Sequence, residues 1–241
     1  MRIESFELPF LIGTIFLFVI CIIRFTYWIV GLSKIDRLRI ARNIFTRTSL
    51  KSAKEAFMEG LIHRKVYRQN PMLGYMHMSL ALGWFLLIVV GHIEAATYRQ
   101  SFAVHFHEAV FFRYYSIYHH SFPFQHGFAF IMDFLLLFVL SGVFLAYFKR
   151  FSKRSFGMKK TTKLQWRDYI ALTSLWLIFP LRFIAESFTA GIYHNGSFLT
   201  QTAGNIFKNF LPLEKITDPV WLAYSISLGL FLAMLPASRY F

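Results

Sequence analysis

Apolar residues form five long runs along the chain, separated by polar connections. The runs cover residues 9–31, 71–97, 124–149, 168–191 and 219–241. A helix needs about 20 residues to cross a hydrocarbon core of about 30 Å, and a backbone in lipid must form its hydrogen bonds internally. No run alternates with the period of two that a barrel strand requires. The pattern therefore predicts an all-α membrane protein built as a bundle of five transmembrane helices.

Composition agrees with that interpretation. Hydrophobic residues make up 56% of the 241 residues, 30 of them are Phe, and the mean hydropathy is +0.47. The first run follows Arg2, Glu4 and Glu7 and shows no small-residue cleavage site, so we expect a retained span and not a signal peptide. No internal repeat or linker is visible, which predicts one transmembrane domain over residues 1–241.

The positive charges are distributed unevenly between the connections. Of the 26 Lys and Arg, ten lie in 32–70 and eight in 149–167, whereas 98–123 and 192–218 hold two each. The positive-inside rule then predicts an N-terminus outside and a C-terminus inside. Topology accounts for the net charge of +14, so we expect no nucleic-acid binding. The 32–70 connection is interpreted as an amphipathic helix on the inner leaflet or as a docking surface for a cytoplasmic partner.

The external connections are rich in aromatic residues and histidine, as at a membrane interface. Five of their side chains could suggest a metal site, but the spacing follows no defined ligand pattern, so we expect solvated loop residues. They are His105, His107, Glu108, His119 and His120. The single cysteine, Cys21, excludes a disulfide within the chain and a Cys-ligated iron–sulfur cluster held by this chain alone.

Two histidines lie near opposite ends of the second run. His77 and His92 are about 22 Å apart along an ideal helix and differ by about 60° in azimuth, so they share a face. Imidazole is a standard axial ligand of haem iron, and a titratable group inside a span is a functional candidate by default. Spacing alone leaves two interpretations open: haem ligands of a transmembrane electron-transfer chain, or polar contacts within the bundle.

Other charges also lie within the runs. Asp133 and Arg182 are at similar depths and could pair, and Glu186, one helical turn beyond Arg182, is a second candidate. A carboxylate at this depth could instead take protons from a quinol. Arg24 lies level with His77, where it would bind a haem propionate or extend to the headgroups. Pro180 is expected to kink its helix and free a carbonyl beside a central cavity.

The stretch RQNPMLGYMHMSLALGWFLLIVVGHIEA resembles the second helix of the dihaem cytochrome b family of nitrate reductase gamma subunits. It is more similar still to the membrane subunits of heterodisulfide reductases and of the related sulfite-reduction complex. The GVFLAYFKRF and FIAESFTAG segments match loosely. The resemblance implies that His77 binds an inner b haem, and that His92 is a candidate ligand of an outer one.

The chain also departs from that family, whose fifth helix supplies the opposite ligands. Here the outer half of the fifth run, WLAYSISLG, contains no His, and LPASRYF stops where the inner His would be expected. We therefore expect a fragment of a longer chain, continuing into a cytoplasmic iron–sulfur domain. His126, at the outer mouth of the third run, or one of the loop histidines is a candidate replacement for the missing outer ligand.

The resemblance implies a subunit of a quinone-linked oxidoreductase in the inner membrane of a prokaryote. Such a subunit exchanges electrons between a menaquinone-type quinone and a cytoplasmic iron–sulfur partner through one or two b haems. The alternative is a non-haem membrane anchor or transporter-like bundle that uses Asp133, Arg182 and Glu186 for stability or passage. The lack of repeated halves counts against a transporter.

Overall fold

The computed structural model describes residues 4–115, 122–155 and 165–238, without the side chains of 153–155. His119, His120, Arg2 and the terminal residues 239–241 lie outside the described residues. Within the described ranges the chain is helical and contains no strand. The helices are α1 (Leu8–Gly31), α2 (Lys34–Asn43), α3 (Arg47–Gly60), α4 (Arg64–Gln69), α5 (Pro71–Arg99), α6 (Phe106–Val110), α7 (Phe112–Tyr115), α8 (Gln125–Ser155), α9 (Trp166–Tyr193), α10 (Thr200–Lys208) and α11 (Leu213–Met234).

Five helices are long and apolar enough to cross a membrane: α1, α5, α8, α9 and α11. They confirm the predicted five-helix membrane bundle. The start of α5 follows from its sequence, because Pro71 occupies the first turn and the Asn70 side chain accepts a hydrogen bond from Leu73 N at 3.0 Å. Helix α11 begins at Leu213, six residues before the predicted run. The apolar pattern missed this first turn because it carries the polar Glu214 and Lys215.

The basic connection between α1 and α5 folds into α2, α3 and α4, which confirms its helical character. None of these three helices has a buried residue. We call this end of the bundle, with the end of α8 at 149–155, the basic end. The opposite end holds residues 100–115, 122–124 and 194–212 and is called the aromatic end.

The spanning helices pack as two groups. Helix α11 packs between α1 and α9, and α5 packs on α8. Small residues set the first crossing: a β-carbon added at Gly229 would overlap the backbone of Pro9, and one added at Gly13 would overlap Gly229. Close approach of this kind is typical of helix contacts in lipid. The backbone N–H of Phe10 also donates to Ser225 Oγ at 3.2 Å, which fixes α1 on α11.

Aromatic rings join the two groups. The Trp84 ring of α5 lies edge-on to Phe179 of α9, with centroids 5.7 Å apart, and 5.4 Å from Phe231 of α11. Pro180 lies inside α9 and removes the donor for the carbonyl of Trp176. The Tyr147 hydroxyl of α8 donates to that carbonyl at 3.2 Å. The freed carbonyl therefore has a partner in α8, and Trp176 does not line the cavity between α1, α5 and α11.

Candidate functional site

A cavity of about 680 Å³ lies between α1, α5 and α11. Its wall is mostly apolar, with Ala81, Trp84 and Ile88 from α5, and residues His105 to Val110 cover its aromatic end. Two lining side chains are well exposed on the outside of the bundle, Phe18 at 62% and Phe85 at 43%. The cavity can therefore be reached from the lipid side between α1 and α5.

Few polar groups reach this cavity. Two of them are Arg182, which belongs to a buried ion pair, and Tyr224, which lies next to that pair. Arg182 Nε donates to Glu186 Oε1 at 2.7 Å, one turn along α9, and both side chains are almost fully buried. The Arg182 guanidinium also interacts with the buried hydroxyl of Tyr224. Arg182 and Tyr224 both line the cavity. A largely apolar pocket with a few convergent polar groups is the usual form of a small-molecule site.

Arg182 pairs with Glu186, the second candidate, and not with Asp133. The Asp133 carboxylate instead accepts hydrogen bonds from Leu199 N at 2.6 Å, Thr200 N at 3.1 Å and Thr200 Oγ1 at 2.9 Å. These bonds satisfy the first N–H groups of α10. The pairing of Asp133 with Arg182 was wrong because equal depth does not fix which way each side chain faces. A proton role for Asp133 or Glu186 stays a prediction.

His77 and His92 lie on either side of the cavity along α5. His77, Ala81, Ile88 and His92 fall within about 60° of one another around the helix, so the cavity wall occupies the stretch between the two histidines. Neither imidazole lines the cavity itself. His77 is exposed and faces His63 at the start of α4, with ring centroids 5.3 Å apart. His92 is half-buried.

His126 and Arg24 are both exposed and neither lines the cavity. The His126 ring packs against Gly196, where a β-carbon would lie 2.7 Å from His126 Nδ1. Gly196 adopts a positive φ of 77°, which favours glycine. Their roles as cofactor ligands stay predictions from the resemblance.

The histidine-rich connection was expected to be solvated, and for two of its residues that expectation was wrong. Glu108 is buried and binds Arg99 Nη2 at 2.7 Å. His107 is half-buried and lines the cavity, and its Nε2 is buried without a hydrogen-bond partner. Burial lowers the pKa of His107 below its ordinary value, so the imidazole is held neutral. His105 is exposed, as expected, and its ring stacks on His107 with centroids 5.5 Å apart.

A buried ion pair that the sequence analysis missed lies at the same end. Arg113 Nη2 contacts Glu94 Oε1 at 3.0 Å, and the side chains are 7% and 2% exposed. Glu94 is an electrostatic neighbour of Glu186, so the pair lies beside the polar part of the cavity wall. Arg113 lies far from Glu94 in sequence, in a short helix. The one available signal was a lone carboxylate near the end of an apolar run.

The haem that the resemblance implies needs axial imidazole ligands. His77 has a second imidazole nearby in His63, whose Nδ1 is buried without a hydrogen-bond partner. Across the ranges the structure describes, no third His, Cys, Asp or Glu joins them, and no histidine ring is found against His92. The donor chemistry of these residues fits one imidazole-ligated haem near His77 and offers no opposite ligand for a second haem at His92.

Comparison with known proteins finds no matching family model, no curated protein and no solved structure.

Proposed function

We propose that this chain is a membrane electron-transfer subunit that exchanges electrons between a quinone in the bilayer and a cytoplasmic iron–sulfur partner through b-type haem. The observation that carries the proposal is the apolar cavity between α1 and α5, with Arg182, Tyr224 and His107 in its wall. The proposal places the chain in the inner membrane of a prokaryote, with the basic end toward the cytoplasm.

A quinone suits this cavity chemically. Its ring and isoprenoid tail are apolar, which matches the wall formed by Trp84, Phe85 and Leu228 and an approach from the lipid. Its two ring oxygens need hydrogen-bond partners once they leave water. Arg182 and Tyr224 can donate to a carbonyl oxygen, and the neutral imidazole of His107 can accept from a hydroxyl through its unprotonated ring nitrogen.

The haem belongs to the basic half of the bundle in this proposal. His77 would hold it, with Arg24 at the same depth as a candidate for a propionate. When bound, a b haem supplies reversible one-electron transfer. The arrangement would connect a quinone site near the aromatic end with a partner at the basic end, where the exposed α2, α3 and α4 offer a cationic surface.

The first experiment is a reduced-minus-oxidised visible spectrum with haem quantification on the purified full chain. We expect a b-type spectrum that is lost in His77→Ala and kept in His194→Asn, a control at an exposed position outside the cavity. A colourless wild-type protein would contradict the electron-transfer proposal and leave a non-haem membrane anchor.

Quinone binding is tested separately by quenching of the protein's tryptophan fluorescence with menadione, because Trp84 lines the cavity. Ala81→Phe fills the cavity, because Ala81 is a small lining residue, and is expected to weaken binding at least about tenfold, which is a loss of about 1.4 kcal/mol. Ile93→Phe is the matched control, since Ile93 is 49% exposed on the same helix and does not line the cavity. Equal affinity in Ala81→Phe and wild type would place the quinone elsewhere.

A further inference from the structure

Two stacked histidines cover the aromatic end of the cavity. His107 lines the cavity and has one ring nitrogen, Nε2, that is buried without a hydrogen-bond partner, and His105 is exposed while also lining the cavity. Their rings are close to parallel, with an interplanar angle of 14° and centroids 5.5 Å apart. The pair therefore extends from the apolar interior to the outer surface within two residues of sequence.

We propose that His107 accepts the proton from a hydroquinone bound in the cavity and that His105 passes it to water at the aromatic end. The inference rests on the proposed function, which supplies the electron acceptor. It assigns a chemical role to two residues that the resemblance leaves unassigned.

The protonation state of His107 suits this role. Burial keeps the imidazole neutral at rest, so one ring nitrogen carries the ring hydrogen and the other can accept a proton. The neighbouring carboxylate of Glu108 can stabilise the imidazolium once it forms. Glu108 is itself held by Arg99, whose side chain is 25% exposed, so the group next to His107 is anchored at the surface.

The step balances as follows for one hydroquinone. An O–H bond breaks, an N–H bond forms at the unprotonated ring nitrogen of His107, and an electron passes to the one-electron acceptor of the proposed function. His107 returns to its neutral form by releasing a proton toward His105. Since 5.5 Å between ring centres exceeds hydrogen-bond reach, a water completes this transfer. Repetition with the second hydroxyl gives the quinone, two protons and two electrons.

The test follows the reduction of the full chain in nanodiscs by menadiol, using stopped-flow absorbance. His107→Ala is expected to slow reduction by about a hundredfold, within the usual contribution of a general base. Menadione affinity by tryptophan quenching is expected to stay within a factor of three, because menadione has no hydroxyl that could donate to His107. Added imidazole is expected to restore much of the rate in this variant. His107→Gln keeps a polar side chain but cannot carry a proton, so it is expected to be equally slow and not rescued.

His105→Ala is expected to have a smaller effect of about tenfold or less, because water can partly replace a surface relay. His194→Asn serves as the control, since His194 is an exposed residue at the same end. A wild-type rate in His107→Ala, or a slow rate that imidazole fails to raise, would overturn the inference while leaving the proposed function intact. Loss of haem or of menadione binding in His107→Gln would show a ligand or structural role and also overturn it. Wild-type protein that menadiol cannot reduce would overturn the proposed function as well.

Discussion

The basic end and the aromatic end of the bundle carry the same kinds of charged residue in different settings. At the basic end, Arg39 and Asp36 are 3.8 Å apart with side chains 74% and 49% exposed. At the aromatic end, Arg113 and Glu94 are 3.0 Å apart with side chains 7% and 2% exposed. Exposed pairs contribute little to stability, whereas a buried charge depends strongly on its partner. At the basic end this charge pair is therefore a feature of the surface, and at the aromatic end the pair is part of the internal structure.

The largest expected effect comes from breaking the buried pair. Arg113→Ala leaves the Glu94 carboxylate buried without its cation, which is expected to lower the free energy of unfolding by about 3–5 kcal/mol. Arg39→Ala, the matched change at the basic end, is expected to cost about 0–1 kcal/mol. Unfolding in detergent, followed by circular dichroism, measures both. Equal losses would remove the distinction between the two ends.

A second comparison concerns a glycine at a helix crossing and a glycine with no close neighbour. Gly229→Ala inserts a β-carbon into the backbone of Pro9 at the α1 and α11 crossing, where it is expected to cost about 1–3 kcal/mol by overpacking. Gly31→Ala meets nothing within 4 Å at the basic end of α1. Alanine is the better helix former, so this control is expected to be neutral or stabilising by about 0.5–1 kcal/mol. The same unfolding assay measures the stability of both variants. A Gly229→Ala protein as stable as wild type would contradict the close crossing.

The smallest expected effect is on pH dependence. Because the pKa of His107 is lowered in the folded protein, the unfolded chain binds more protons as the pH falls through the ordinary histidine range. The stability contributed by neutral His107 is therefore present above that range and is lost as the pH falls. His107→Gln is expected to give a flatter stability profile than wild type on the acid side of pH 6.5. Identical slopes in the two proteins would show that the folded protein does not favour the neutral form.

The sequence pattern predicted the five spans because long apolar runs are a local property. The helical basic connection followed from apolar residues at roughly helical spacing among its charges. Side-chain partners at the aromatic end were harder to predict. Depth along a helix placed Asp133 and Arg182 level, but the direction of each side chain depends on neighbours such as α10. Arg182 and Glu186 are four residues apart on one helix, a spacing that sequence alone can pair.

The cavity wall and the Glu94–Arg113 pair depend on how a loop folds back over the bundle. His107 and Arg113 belong to a connection whose composition suggests solvent, yet the loop returns to cover α5. The periodicity of the sequence does not predict that this loop folds back over α5. The haem and quinone assignments rest on the resemblance and on donor chemistry. The visible spectrum tests the haem, and fluorescence quenching by menadione tests the quinone.

The packing of α1 on α11 has a consequence for biosynthesis. Helix α1 packs mainly on α11, which begins about 200 residues later in the chain. Ribosomes add roughly 5–20 residues per second. After insertion, α1 must therefore wait on the order of 10–40 s for α11. During that interval the small-residue face around Gly13 and the carboxylate of Glu7 lack their final surroundings. Cavity closure is thus a late assembly event, and a stalled chain would expose this face to membrane quality-control factors.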